Sequence, residues 1–94
     1  MNQKLKSRAM DQLFECVLRL QTVEECYAFF DDICTVHELQ ALSQRLEVAI
    51  MLRQGKTYIE IGELTGASTA TISRVNRSLH YGADGYSIVL GRKE

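Results

Sequence analysis

The sequence predicts an all-α fold, a helical domain carrying a helix-turn-helix, on three observations. Proline is absent and only 6 of the 94 residues are glycine, so little interrupts long helices. The pattern Thr-x-x-Glu begins at Thr22, at Thr35 and at Thr57, each time where an apolar pattern of helical spacing opens. In such a capping box the threonine oxygen accepts from the N–H three residues on, and the glutamate accepts from the threonine N–H. Residues 57–79, TYIEIGELTGASTATISRVNRSL, then read as two short helices around a glycine turn.

The first helix is predicted over residues 3–20. Met10, Leu13, Phe14, Val17 and Leu18 recur at i, i+3, i+4, i+7 and i+8, a stripe that must meet apolar surface. The second, over 23–33, carries Cys26, Tyr27, Phe29, Phe30 and Ile33. These are too many large apolar groups for one narrow stripe, so the helix is deeply buried or covered by another chain. The third, over 36–54, has a stripe of Leu39, Leu42, Leu46, Ala49 and Ile50, with Val48, Met51 and Leu52 on its other side. A helix apolar nearly all round is central, and Gly55 is its stop. The fourth runs from Thr57 to near Thr65. Gly66 makes the turn beside Ala67, and Ser68 caps the fifth helix. Gly62 and Ala67 are small enough for a close crossing, and Ile61, Leu64, Ile72 and Val75 form the expected wedge. The tail, 80–94, is expected to be weakly ordered. A short helix over 83–90 is the alternative, punctuated by Gly82, Gly85 and Gly91. The chain is thus one domain, 1–94: a helical part over 1–55, the helix-turn-helix over 57–79, and the tail.

With 46% hydrophobic and 24% charged residues, the chain has the composition of a globular protein. A domain this small buries a limited core, so oligomerisation helps it. No apolar run approaches the roughly 18 residues that span a bilayer, and the N-terminus lacks a signal-peptide centre. A cytoplasmic protein without membrane contact is expected. Cys16, Cys26 and Cys34 have no CxxC spacing, and His37 and His80 are far apart; no metal site is expected.

The net charge of −1 argues against a strongly basic polyanion binder, but its distribution is uneven. Residues 9–38 hold one arginine against seven acids. Residues 67–93 hold Arg74, Arg77, Arg92 and Lys93 against Asp84 alone, and Lys4, Lys6 and Arg8 lie near the N-terminus without an acid. An acidic body with basic ends suits a protein that meets a polyanion with part of its surface.

At 100° per residue, Ile72, Val75 and Leu79 of the fifth helix face inward, and Ala70, Ser73, Arg74 and Arg77 face out. This outer face has no acid and no large apolar group. Its first turn, Thr69, Ala70 and Thr71 behind Ser68, is small enough to enter a major groove. Methyls there can meet thymine methyls, hydroxyls can bond base edges, and the arginines can pair phosphate or guanine. Ser68, Thr69, Ala70, Thr71, Ser73, Arg74 and Arg77 are therefore the candidate contacts to double-stranded DNA. A helical protein-interaction module of the same fold, using the acidic surface of 9–38, is the alternative. An enzyme is not expected. Phosphate-binding glycine loops and oriented nucleophile–base pairs are missing, and His37, Glu38 and Cys34 are the nearest approach to a site.

The segment GASTATISRVNRSL, with ELQALSQRLEVA and LRQG before it, resembles the tryptophan repressor. Nearly the full length, including ECYAFFDDICT, resembles the TrpR-like YerC/YecD proteins of that superfamily. The resemblance implies an intertwined homodimer, with the helical part over 1–55 as its dimerisation helices, and a DNA-binding repressor that reads palindromic half-sites about 34 Å apart. It also implies an effector site: Arg45, Arg74 and Ser78 match the positions that hold the repressor's amino-acid corepressor. Two departures stand against such a ligand. Val75 replaces a glycine and could fill part of the pocket, and residues 31–34 (Asp31, Asp32, Ile33, Cys34) differ. Arg45 and Arg74 would otherwise be scaffold groups, paired with Glu47 or a phosphate. Any effector's identity is open.

Overall fold

A computed structural model describes residues 3–92; Lys93 of the basic tail lies outside them. Among the described residues there is no strand. A 3-10 turn at Gln3–Leu5 leads to α1 (Arg8–Val17), α2 (Val23–Ile33), α3 (Val36–Arg53), α4 (Tyr58–Thr65), α5 (Thr69–Tyr81) and α6 (Gly85–Leu90). Contacts divide the chain into two compact units, with the boundary inside α3 between Leu39 and Gln40.

The helix starts follow the capping chemistry. Thr35 Oγ1 accepts from Glu38 N–H at 3.1 Å, and Glu38 Oε1 accepts from Thr35 N–H at 2.8 Å. Thr57 and Glu60 repeat the exchange at 3.2 and 3.1 Å. The box at Thr22 is shifted. Thr22 Oγ1 accepts from Glu25 N–H, but Glu25 Oε1 takes the Gln21 N–H, one residue early.

The first unit differs from expectation at its beginning. Residues 3–20 do not form one helix, because Ser7 is extended (φ −160°) and its side chain accepts from Met10 N–H. That cap starts α1 five residues after Gln3 and separates it from the 3-10 turn. Neither α1 nor α2 contains a buried residue. Leu18 is 83% exposed and Tyr27 76%, although Phe29 and Phe30 meet edge to face with centroids 5.4 Å apart.

The second unit holds the core: Val48 and Ala49 of α3, Ile61 of α4, Ala67, and Ile72 and Val75 of α5. Met51, Leu52, Leu79 and Tyr86 pack against it. On α3 the Val48 side is therefore the inner one, and Leu42, Leu46 and Ile50 of the longer stripe remain exposed. The helix ends in a paired motif around Gly55 (φ 82°), in which Gly55 N–H donates to Leu52 O and Lys56 N–H to Met51 O. Together the two bonds satisfy carbonyls that a helix end leaves open. Leu64 is not part of the wedge; it is 60% exposed. Thr65 and Gly62 share the inward side of α4 with Ile61, and Leu64 lies roughly 100° away from its centre by helical rotation. In the tail, residues 85–90 form α6, held by Tyr86 on the core and by Arg53 Nη2 donating to Gly91 O at 2.7 Å.

Candidate nucleic-acid interface

Helices α4 and α5 are joined by three residues, 66–68. Gly66 adopts φ 75°, and its N–H donates to Gly62 O at 2.9 Å, closing α4. Ala67 is buried beneath the turn. Ser68 starts α5 by accepting from Thr71 N–H at 3.1 Å, and its own hydroxyl donates to Thr71 Oγ1 at 3.1 Å. The Ser68 and Thr71 hydroxyls are thus occupied with each other at the helix start, and Thr71 is half-buried. Thr69, Ala70, Ser73, Arg74 and Arg77 are all exposed, whereas Ile72 and Val75 between them are buried. Neither the Arg74 nor the Arg77 side chain has a hydrogen bond or ion pair with another described residue. The face is open, cationic and free of acids.

Helix α5 continues two residues beyond 79, and this adds a residue that the sequence reading missed. Tyr81 lies eleven positions after Ala70, roughly 20° away around the helix. It is 86% exposed and prolongs the same face. Carrying the helix on to Gly82 is the signal that would have found it. Neighbouring His80 turns aside, its Nδ1 2.8 Å from Asn76 O and so donating to it.

The outer side of α4 has the opposite character. Ile59, Glu63, Glu60 and Leu64 occupy it, all exposed, with no cation among them. Phosphate would be repelled there, so the favourable polyanion surface of this pair is confined to α5.

Of the positions matched to the corepressor site, Arg45, Arg74 and Ser78 are all exposed. Neither the Arg45 nor the Glu47 side chain has a partner among the described residues, so the two do not pair with each other. Ser78 lines an open cleft of about 370 Å³ with Leu46, Tyr86 and Val89 among its walls. Val75 is 3% exposed in the core and does not line that cleft. Among the described residues no cluster of His, Cys, Asp or Glu could hold a metal ion, and no helix is long and apolar enough to cross a membrane.

The family model for the Trp repressor protein matches residues 8–94. YerC of Bacillus subtilis (strain 168), an uncharacterized protein, is 60% identical over 89 residues, spanning 95% of this chain and 86% of that one. A TrpR-like protein from Eubacterium eligens ATCC 27750 superposes with a TM-score of 0.91 at 58% identity, over 99% of both chains. A candidate Trp repressor from Staphylococcus aureus superposes with a TM-score of 0.90 at 56% identity, over 96% of this chain and 92% of that one. On the sequence match and on the fold alike, this chain belongs to the Trp repressor protein family.

Proposed function

We propose that this protein is a sequence-specific DNA-binding transcription regulator, a cytoplasmic repressor that acts as a homodimer on a palindromic operator. Helices α4 and α5 are its helix-turn-helix, and α5 is the reading helix. The observation that carries this reading is the outer face of α5, where Ala70, Ser73, Arg74 and Arg77 stand exposed without an acid and Tyr81 prolongs the row. Thr69 sits at its tip, and Ser68 and Thr71 hold the helix start that would face a phosphate. Family membership supports the same assignment. The homodimer is supported by the exposed apolar residues of α1, α2 and α3, which a second copy would cover. A small-molecule corepressor is not required: Arg74 already belongs to the reading face, and Arg45 and Ser78 are exposed.

Capture of genomic binding sites by the purified protein, with no small molecule added, tests the proposal. It should return a palindrome whose half-sites lie one helical turn apart. In the same assay Arg77→Ala should weaken binding and reduce the slope of log affinity against log salt by about 1.8, the share of two neutralised phosphates, one for each protomer. An unchanged slope would remove Arg77 from the interface. A second reading is favoured by the acidic, apolar outer side of α4, which suits a protein partner better than DNA. Under that reading no genomic fragment is retarded, even at low salt.

A further inference from the structure

We infer that Gln44 is a positioning residue for the reading helix, acting from α3 through the end of α4. Its Nε2 donates to Thr65 O at 3.1 Å, across 21 residues of sequence and in partly buried surroundings. Thr65 is the last residue of α4, and its carbonyl is one that the helix cannot satisfy internally. The same residue also ties both sides of the turn. Thr65 Oγ1 donates to Ile61 O at 2.7 Å, back into α4, and accepts from Ala67 N–H at 3.1 Å, beyond Gly66. A continuous set of bonds therefore runs from Gln44 to Thr65 to Ala67, and Ser68 starts α5 next.

The turn needs such a tether. A Cβ at Gly66 would meet nothing within 4 Å, so packing does not define the conformation there, and glycine is the residue with the widest conformational freedom. Reading base edges requires the first turn of α5 to be held to within about 0.5 Å. Hydrogen bonds on either side of Gly66 supply that constraint, and Gln44 anchors them to the helix that carries Val48 and Ala49 of the core. Such a residue acts on sequence-specific binding. Non-specific binding is carried by phosphate charge and tolerates a loosely held helix, whereas base contacts do not.

This inference rests on the DNA-reading role proposed above, and the experiment separates the two. Gln44→Met keeps the length of the side chain and removes the donor. Its affinity for the captured operator should fall about thirtyfold, the effect of one net hydrogen bond in each protomer of the proposed dimer. Its affinity for random duplex at the same salt should stay within about twofold. Amide hydrogen exchange is measured without DNA, and Gly66 and Ala67 should exchange faster in Gln44→Met than in the parent. Thr65→Val, which loses the hydroxyl but keeps the carbonyl, should speed the same amides, and the double variant should fall short of the sum because both hold one turn. Unchanged exchange in Gln44→Met overturns the positioning role, whatever the DNA result. Faster exchange with an unchanged ratio of operator to random affinity overturns its link to reading. If the parent protein captures no operator, the DNA reading falls, and exchange alone decides whether Gln44 sets the turn.

Discussion

Replacing each of two glycines four residues apart by alanine should change stability in opposite directions. At Gly66 the backbone has φ 75°, a conformation that costs a residue with a Cβ about 1–2 kcal/mol. Alanine recovers about 0.4–1 kcal/mol by restricting the unfolded chain, so Gly66→Ala should destabilise by about 1 kcal/mol. Gly62 lies inside α4, where a Cβ would rest 3.6 Å from Ala67 O, an ordinary contact. The crossing of α4 and α5 therefore has room for a methyl group, and Gly62→Ala should stabilise by about 0.5–1 kcal/mol through helix propensity. For a domain of this size each kcal/mol moves the melting temperature by about 4–8 °C. Calorimetry at one fixed protomer concentration should place Gly62→Ala above the parent and Gly66→Ala below it, since an associating protein's melting temperature depends on concentration. Two shifts of the same sign would refute the reasoning. If both fell, the crossing is tighter than the 3.6 Å contact implies; if both rose, Gly66 does not hold its left-handed conformation in solution.

Three further outcomes follow from the same geometry. A Cβ at Gly82 would clash with the backbone oxygen of Ser78, so Gly82→Ala must shift the backbone at the end of α5. It should lose about 2 kcal/mol, read by urea denaturation, where an unchanged midpoint would contradict the clash. The Glu38 carboxyl is held below the ordinary glutamate range, first by the Thr35 N–H and then by the Thr35 side chain. Its stabilising effect is therefore complete above the unfolded-state pKa and disappears as the pH falls through the lowered folded value. Stability of Glu38→Gln should converge with the parent in acid and fall below it near neutrality; a constant gap across that range would dismiss the box as a source of pH dependence. If the proposed homodimer buries Tyr27, Tyr27→Glu should weaken self-association by about thirtyfold, as loss of an aromatic anchor does, and a sedimentation profile identical to the parent's would move the interface away from α2.

The elements most legible in the sequence were those whose boundaries depend on local chemistry. Thr22, Thr35 and Thr57 mark the starts of α2, α3 and α4 because a cap is made within four residues. Gly55 and Gly66 mark ends for the same local reason. Ser7 escaped notice because its cap has no glutamate three residues on to complete the pattern. The tail read as weakly ordered because α6 has no side-chain cap; Asp84 sits at φ 64° without one, and Tyr86 reaches the core through contacts distant in sequence. Leu64 was misread for another reason. Hydrophobicity identifies a residue that can be buried, but which neighbour buries it is a property of three-dimensional packing. The outer face of α5 was legible because rotation alone sorts Ile72 and Val75 from Ser73, Arg74 and Arg77. The Gln44 bond was not, because no local pattern links a glutamine to a carbonyl 21 residues away.

The absence of any buried residue in α1 and α2 has a kinetic consequence. Helices of 10 and 11 residues are too short to persist in water on their own. If a second copy supplies their cover, then folding and encounter are the same event for this part of the chain. Refolding should then be second order in protein, and two differently labelled preparations should exchange subunits only as fast as they unfold. Copy number would set the fraction of chains that escape proteolysis, because a solitary chain presents α1 and α2 as open substrate. A cell that made too few copies would lose the protein itself before it lost the occupancy of any site.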